Sequence, residues 1–342
     1  MRGPAGLIGA LVIMVLSVIM SAACTVEPPR VQLPPPDTYR PQDPVGEDSV
    51  ARPVPPGTAE TITAPLVAAG AFCAQVRSNA HGRALWCRHR DADDPWVAQF
   101  LLDDQDRLAW AWFPSQPQPE EPDPNRASDP ERLAGLAGPS LGALWPETAD
   151  RFGDELTRYD HDHRDLIERG RSVEGAFTRS WRDDHADYTM SSVDGLIMEA
   201  RDVEVERWPS DAAHYASRMS VAVGDLQDSG FECFYPPQVY CRREFQEFRV
   251  SLRGDRIITA DFVVAGDETL AEVFPRGLTF LSPAVRSAVG AKIEEARKAR
   301  QDYLGIVEGT VLAVDAAPIP PVGGPVPITV RIGAPLAGAY PI

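Results

Sequence analysis

The sequence is almost without lysine. Two lysines stand among 342 residues, so arginine carries nearly all the positive charge, and 33 basic side chains face 50 acidic ones for a net charge of −17. No basic cluster interrupts this balance. That argues against nucleic acid as a partner, because phosphate recognition needs concentrated Lys and Arg. It argues equally against electrostatic adhesion to anionic lipid. The chain also lacks a P-loop and a dinucleotide-binding glycine fingerprint, so the common phosphate-cradle signatures are missing. Its cysteines show no Cys-x-x-Cys spacing, and no histidine sits at a zinc-like offset from them. No metal or cofactor is expected.

What the sequence does contain begins at its N-terminus. Met1-Arg2 is a minimal positive start, Leu7 to Met20 is apolar apart from glycines and Ser17, and Ser21-Ala22-Ala23 precedes Cys24. This order of charge, apolar core and small residues reads as a secretory signal. The core of about 14 residues is shorter than the roughly 20 a spanning helix needs. Small residues followed directly by cysteine resemble the lipobox of bacterial lipoproteins, the departure being Ser21 where that family usually carries Leu or another aliphatic. The resemblance covers residues 1–24 alone. It implies cleavage before Cys24 and diacylation of its thiol, placing the chain on the outer face of the cytoplasmic membrane. The alternatives are an ordinary cleaved signal and an uncleaved anchor. Residues 24–58 then hold ten prolines and few large apolar groups, the composition of a disordered, polyproline-like tether.

Setting Cys24 aside, the cysteines form two close pairs, Cys73 with Cys87 and Cys233 with Cys241. Folding the first segment about Ala80 and the second about Pro237 makes each cysteine the direct cross-strand neighbour of its mate. Directly opposed Cβ atoms lie about 4.5–5.5 Å apart, near enough for a disulfide with modest adjustment. An exported compartment permits it.

A hydrophobic content of 44% over this length supports one or two domains with a sizeable core. After the tether, residues 59–72 read as a short helix or loop interrupted by Pro65, followed by the first cysteine hairpin. Trp96–Leu102 and Arg107–Phe113 form a strand pair across an acidic turn. Pro114–Pro130 is an acidic loop. Pro146 opens a helix whose Phe152, Leu156, Tyr159, His163 and Leu166 share one face. The later chain repeats this plan. A helix from Ser210 and Asp211, with Tyr215, Met219, Ala222 and Leu226 on one face, leads to the second cysteine hairpin. Strands at Phe248–Leu252 and Ile257–Val264 follow, and then a helix at Ala284–Arg300. Leu270, Leu278, Leu281, Pro283, Val289 and Ile293 match Leu133, Leu141, Leu144, Pro146, Phe152 and Leu156 at a constant offset of 137.

The expected fold class is therefore α+β: antiparallel β-meanders packed with helices, in two related modules behind the tether. The divisions are a signal at 1–23, the tether at 24–58, a first module at 59–170 and connecting antiparallel strands at 171–208. A second module at 209–303 and a Pro/Gly-rich segment at 304–342 complete the chain. The connecting strands, marked by an Asp194-Gly195 hairpin turn, either form a third copy of the strand unit or continue the first module's sheet. Gly309–Val314 and Ile328–Ile332 read as a further strand pair.

Candidate chemistry is sparse. His161 and His163 lie two apart on a helix, about 200° from each other, so they cannot share an ion. Ser191 and Ser192 near Asp194 read as solvated strand residues, and Glu204 with Glu206 as one of the many acidic pairs that fifty carboxylates produce. Arg242-Arg243 is a small basic point on an acidic chain. Trp96, Trp110 and Trp112, and separately Phe231, Phe234, Tyr235 and Tyr240, read first as sheet core and second as an exposed patch for a protein or glycan. The function these observations support is a membrane-anchored extracytoplasmic lipoprotein acting as a non-catalytic binding or envelope-assembly module, its partner an envelope protein or glycan. A surface-anchored hydrolase with residues drawn from distant loops is the alternative.

Overall fold

The computed structural model describes residues 48, 50–89, 96–114, 130–169, 177–192, 194–203, 219–234, 239–243, 246–253, 256–265, 281–316 and 327–334. The signal, Cys24 and most of the tether fall outside them, as do Tyr215, Tyr235, Leu270, Leu278 and the Glu204/Glu206 pair. Among the described residues no helix is long and apolar enough to cross a membrane.

Two antiparallel sheets with helices confirm the α+β class. The first module contains β1 (Arg52–Pro53), α1 (Thr58–Ala68), β2 (Ala71–Asn79), β3 (Gly82–His89), β4 (Val97–Asp103), β5 (Leu108–Phe113), α2 (Pro130–Gly142), α3 (Pro146–Glu168), β6 (Thr178–Arg182), β7 (Ala186–Ser191) and β8 (Gly195–Ala200). Its strands lie in the order β1-β2-β3-β4-β5-β8-β7-β6. The second contains α4 (Met219–Asp228), β9 (Glu232–Phe234), β10 (Val239–Arg243), β11 (Gln246–Arg253), β12 (Arg256–Ala265), α5 (Pro283–Ala299), β13 (Tyr303–Val307), β14 (Thr310–Asp315) and β15 (Pro327–Ile332). Its order is β9-β10-β11-β12-β15-β14-β13. With β1 removed the two strand orders are the same: a helix and a four-stranded meander, then helix (α2 and α3 in the first module, α5 among the described residues of the second), then a three-stranded meander whose last strand pairs with the fourth. The strands after residue 171 thus continue the first sheet. β14 and β15 belong to the second sheet together with β13, which has no counterpart in the sequence-based expectation.

Helices cover one face of each sheet. Ile62 and Leu66 of α1, Leu133 and Leu141 of α2, and Phe152, Leu156 and Tyr159 of α3 pack on Leu85, Phe100, Ala111, Phe113 and Met198. In the second module Leu226, Val289 and Ile293 pack on Phe248, Val250, Phe262 and Val330. Pro146 and Pro283 each open a helix at a first-turn position, where proline's missing N–H costs nothing. Pro65 does not break α1. It sits in the last turn, and its carbonyl accepts from the Ala69 N–H.

The opposite face of the first sheet packs on the second. Ala74, Val76, Ala84, Trp86, Val97, Leu101 and Trp110 form one cluster with Val311, Leu304, Ile306 and Ala334. Strand β4, covered on both sides, is buried at every position, which explains why Phe100, Leu101 and Leu102 are apolar in succession where a one-sided strand would alternate. Among the described residues the contact draws chiefly on β2–β5 of the first sheet and on β13 and β14 of the second, with Ile197 of β8 and Ala334 at its border, making four layers from helix to helix with an offset in the middle.

The expected tether is shortened at its C-terminal end. Asp48 bridges Ser78, and Arg52 and Pro53 pair with Gln75 and Ala74. Ala51 is buried between the sheets, and its N–H donates to the Gly309 carbonyl at 2.7 Å. Residues 48–53 are therefore part of the fold. Ala51 supplies the apolar group that makes pairing favourable, and the exposed backbone of β2 supplies the partners.

Candidate functional site: the open end of the second sheet

Both cysteine pairs are bonded, Cys73 to Cys87 and Cys233 to Cys241, with Cα atoms 4.1 and 4.0 Å apart across adjacent strands. In the first hairpin the tight end pairs Asn79 with Gly82, a register that would set Cys73 against Arg88. A β-bulge between Gln75 and Arg77 shifts it by one and aligns Cys73 with Cys87. The Asn79 side chain holds the turn by accepting from the His81 and Gly82 N–H groups. The disulfides lie on the helix-facing side of each sheet, inside the cores.

Side chains alternate along a strand, so the residues next to the cysteines face the other way. In the second sheet this outward set forms a straight row. Phe234 is opposite Tyr240, Tyr240 opposite Arg249, Arg249 opposite Asp261, and Asp261 opposite Arg331. At a strand spacing of about 4.8 Å the row spans roughly 19 Å. It continues through Ala313 to Leu304, which lies beneath the first sheet. A second row runs beside it, from Glu232 through Arg242 and Glu247 to Val263.

Three described arginines on this face each meet a carboxylate. Arg242 donates to Glu232 at 3.2 Å, Arg249 to Glu247 at 3.1 Å and Arg331 to Asp261 at 2.6 Å. Tyr240 Oη donates to the other oxygen of Glu247 at 3.0 Å. Partial burial, followed by that hydrogen bond to a carboxylate, holds the Tyr240 phenol above its ordinary value. The guanidinium of Arg242 stands over the Phe234 ring, and that of Arg249 over Tyr240, at 5.3 and 5.4 Å from the centroids. Such contacts contribute roughly 0.5–1 kcal/mol each where exposed.

Exposure falls along the row. Phe234 is 43% exposed, the Arg242–Glu232 pair 55% and 48%, and the Arg331–Asp261 pair 29% and 30%. At the inner end Arg88 of the first sheet, only 7% exposed, approaches Asp315 at 3.9 Å. Burial, with Arg331 nearby, lowers the pKa of Arg88, and burial raises that of Asp315. The Nη1 atom of Arg88 is buried without a hydrogen-bond partner among the described residues. The surface is thus a shallow floor of paired charges and aromatic rings, ending at a wall that carries an unsatisfied donor.

No family model, curated protein or solved structure matches this chain.

The other candidates divide as follows. Trp110 and Trp112 share the outward face of β5 and pack toward the second sheet, while Trp96 is in the helix-side core. Phe231 is buried in the second core, apart from Phe234 and Tyr240. The Arg242-Arg243 point is split by strand alternation: Arg242 faces outward, whereas Arg243 lies over Phe231 and donates to the Ser229 carbonyl. His163 is buried and stacked on Phe177 with centroids 5.2 Å apart. His161 is on the exposed side of α3 beside Asp162, so the two histidines diverge as helical spacing requires. Ser191 and Ser192 are buried, contrary to the solvated reading. Ser191 Oγ donates to Asp194 and accepts its N–H, and Ser192 Oγ accepts from the Phe177 N–H, because the β7–β8 turn must satisfy its polar groups internally. Among the described residues there is no cluster of three or more potential metal ligands.

An acid-anchored network locks the β6–β7 turn to the start of α3. Asp183 accepts from the His185 and Ala186 N–H groups, from Tyr188 Oη and from Thr148 Oγ1. Burial opposes ionisation of Asp183, yet these four donors outweigh it and keep the carboxyl below its ordinary range. His185 contacts Glu147 at 2.6 Å and stacks on Trp145.

Proposed function

We propose that this protein is an exported, lipid-anchored binding module, acylated at Cys24, that holds an extracytoplasmic partner on the open end of its second sheet. The carrying observation is the Phe234–Tyr240–Arg249–Asp261–Arg331 row. It presents aromatic rings and paired charges on a face that, among the described residues, neither a helix nor the other sheet covers at its outer end. Exposed aromatics and arginine are the residue types enriched where partners dock. Two disulfides accord with an oxidising compartment. The lipobox-like Ser21-Ala22-Ala23-Cys24 supplies the anchor. Because residues 48–53 are zipped onto β2, the tether would reach the fold at the junction of the two sheets.

The test places a photo-crosslinking residue at Phe234 or, as control, at Ser180 in cells, with the mass of the native N-terminal peptide measured in parallel. Discrete crosslinked species from position 234 alone, with a diacylated N-terminus at Cys24, are expected. Equal or absent crosslinking at both positions would remove the binding face, and an intact Met1 would remove the anchor.

A further inference from the structure

The charge arrangement on the open face selects among ligand chemistries. Guanidinium groups only donate hydrogen bonds and carboxylates only accept them. Along the floor these alternate: Arg242 beside Glu232, Arg249 beside Glu247, Arg331 beside Asp261. An anionic ligand would gain three guanidinium groups and meet three carboxylates among them, and a cationic ligand would meet the reverse. Neither gains net Coulomb attraction from a set that sums to zero. A hydroxyl group, which donates and accepts at once, satisfies both members of such a pair. The exposed Phe234 ring and the half-buried Tyr240 ring next to it supply a flat apolar surface, on which the carbon–hydrogen face of a pyranose lies as other apolar groups do on aromatics. The floor is a pleated sheet, extended over roughly 19 Å rather than closed into a cavity. That shape suits a chain of several rings rather than a single small molecule. At its inner end the partly exposed carboxylate of Asp315, held beside the buried Arg88, accepts from one more hydroxyl.

We infer that the open end of the second sheet binds a neutral, extended polysaccharide, with its rings on Phe234 and Tyr240, its hydroxyls on the Arg249–Glu247 and Arg331–Asp261 pairs, and its end at Asp315 beside Arg88. This rests on the binding-module reading above and names its ligand class. Other polar sites carry less. The depression of about 360 Å³ beside Thr157, Arg158 and His161 holds an Arg179 already committed to Glu155 and Asp162. The groove of about 540 Å³ between α2 and α3 is lined by small apolar residues with nothing to specify an occupant.

The experiment uses the mature chain on an array of neutral hexose and N-acetylated oligosaccharides, with uronic-acid and sulfated oligosaccharides alongside. Hits are followed by calorimetry at low and high NaCl. Retention of neutral oligosaccharides is expected, with length dependence up to several rings and an affinity that changes less than about twofold with salt, since net-neutral contacts escape screening. Tyr240→Ala and Arg249→Gln should each weaken binding tenfold or more, and Tyr240→Phe by less. Circular dichroism and intact disulfides in each variant show that the fold persists. Should a variant misfold, chemical-shift changes confined to Tyr240 and the floor arginines of the unaltered chain serve the same purpose. No neutral hit, salt-sensitive binding of acidic glycans only, or unchanged affinity in Tyr240→Ala overturns the glycan assignment. If a protein is crosslinked at position 234 while the array stays blank, the ligand class falls and the binding face stands. If crosslinking also fails, both fall.

Discussion

The same cross-strand row exists in both sheets, and the two copies have opposite fates. In each, it starts one residue past the first cysteine and passes one residue before the second. In the first sheet it reads Ala74, Trp86, Gln99, Trp112, Ile197, Thr189 and Ser180. In the second it reads Phe234, Tyr240, Arg249, Asp261, Arg331, Ala313 and Leu304. The first row begins buried, with Trp86 inside the intersheet cluster, and ends exposed at Ser180. The second begins exposed at Phe234 and ends covered at Leu304. Offset stacking explains the inversion, because the leading half of one sheet lies on the trailing half of the other. Topology alone therefore does not say which face is core. What stacks on a position decides whether tryptophan or a tyrosine–arginine pair belongs there.

The largest contrast should come from Trp86 and Tyr240, which hold the same place in their modules. Trp86→Ala empties a fully buried site and should cost about 3–5 kcal/mol, whereas Tyr240→Ala should cost under about 1 kcal/mol. Urea unfolding of the two variants checks this, and equal losses would mean that the second face is covered in solution. The disulfides should then show where the modules remain alike. Loops of 14 and 8 residues imply stabilisations of about 3 and about 2.5 kcal/mol by chain entropy. Paired Cys→Ser variants should lower the denaturation midpoint by similar amounts, and a near-zero loss for either pair would show that its hairpin is held by packing alone.

Much of this architecture was legible in sequence, and what was missed has an identifiable cause. Helix α3 was readable because Phe152, Leu156, Tyr159 and His163 keep one face over several turns and Pro146 marks the start. The disulfides were readable because the cysteines are symmetric about turn residues. The open row was not. Folding the later hairpin about Gly254-Asp255 sets Arg249 against Ala260, but a register shift between Ser251 and Leu252 moves it to Asp261. A one-residue slip exchanges faces, so without that bulge no reader of the sequence assembles the row. Arg88 was hidden for another reason. Its role depends on contact between sheets, which strand patterning does not encode, and only the doubly apolar run of β4 hinted at a second layer. Residues 48–53 look like the proline-rich segment before them, and their pairing depends on the free edge of β2.

Arg88 and Arg242 sharpen the comparison at smaller scale, since each directly follows the second cysteine of its module. Arg88 is buried against the other sheet with Asp315 beside it, while the Arg242–Glu232 pair is about half exposed on both sides. Arg88→Ala removes buried stem packing as well as a charge and should cost about 2 kcal/mol. Arg242→Ala should cost under about 0.5 kcal/mol, as exposed ion pairs do. Thermal unfolding of both would decide it, and a larger loss at Arg242 would reverse the assignment of buried and open ends.

The finest test is one of sign. Asp183 in the first module has its pKa lowered from 3.8, because four donors outweigh burial. Asp315 in the second has its pKa raised from 3.8, chiefly by burial, with Arg88 opposing. A lowered carboxyl contributes stability that is present above 3.8 and lost as pH falls through the folded value. A raised one contributes stability that is present below 3.8 and lost as pH rises through its folded value. Relative to Asp183→Asn, the unmodified chain should therefore gain stability as pH rises from acid to neutral. Relative to Asp315→Asn, it should lose stability over the same rise. Unfolding curves for the three proteins at a series of pH values give two difference lines of opposite slope. Parallel lines would show that Asp315 is solvated, and the intersheet junction, with the wall that ends the open row, would be looser than the contacts of Arg88 imply.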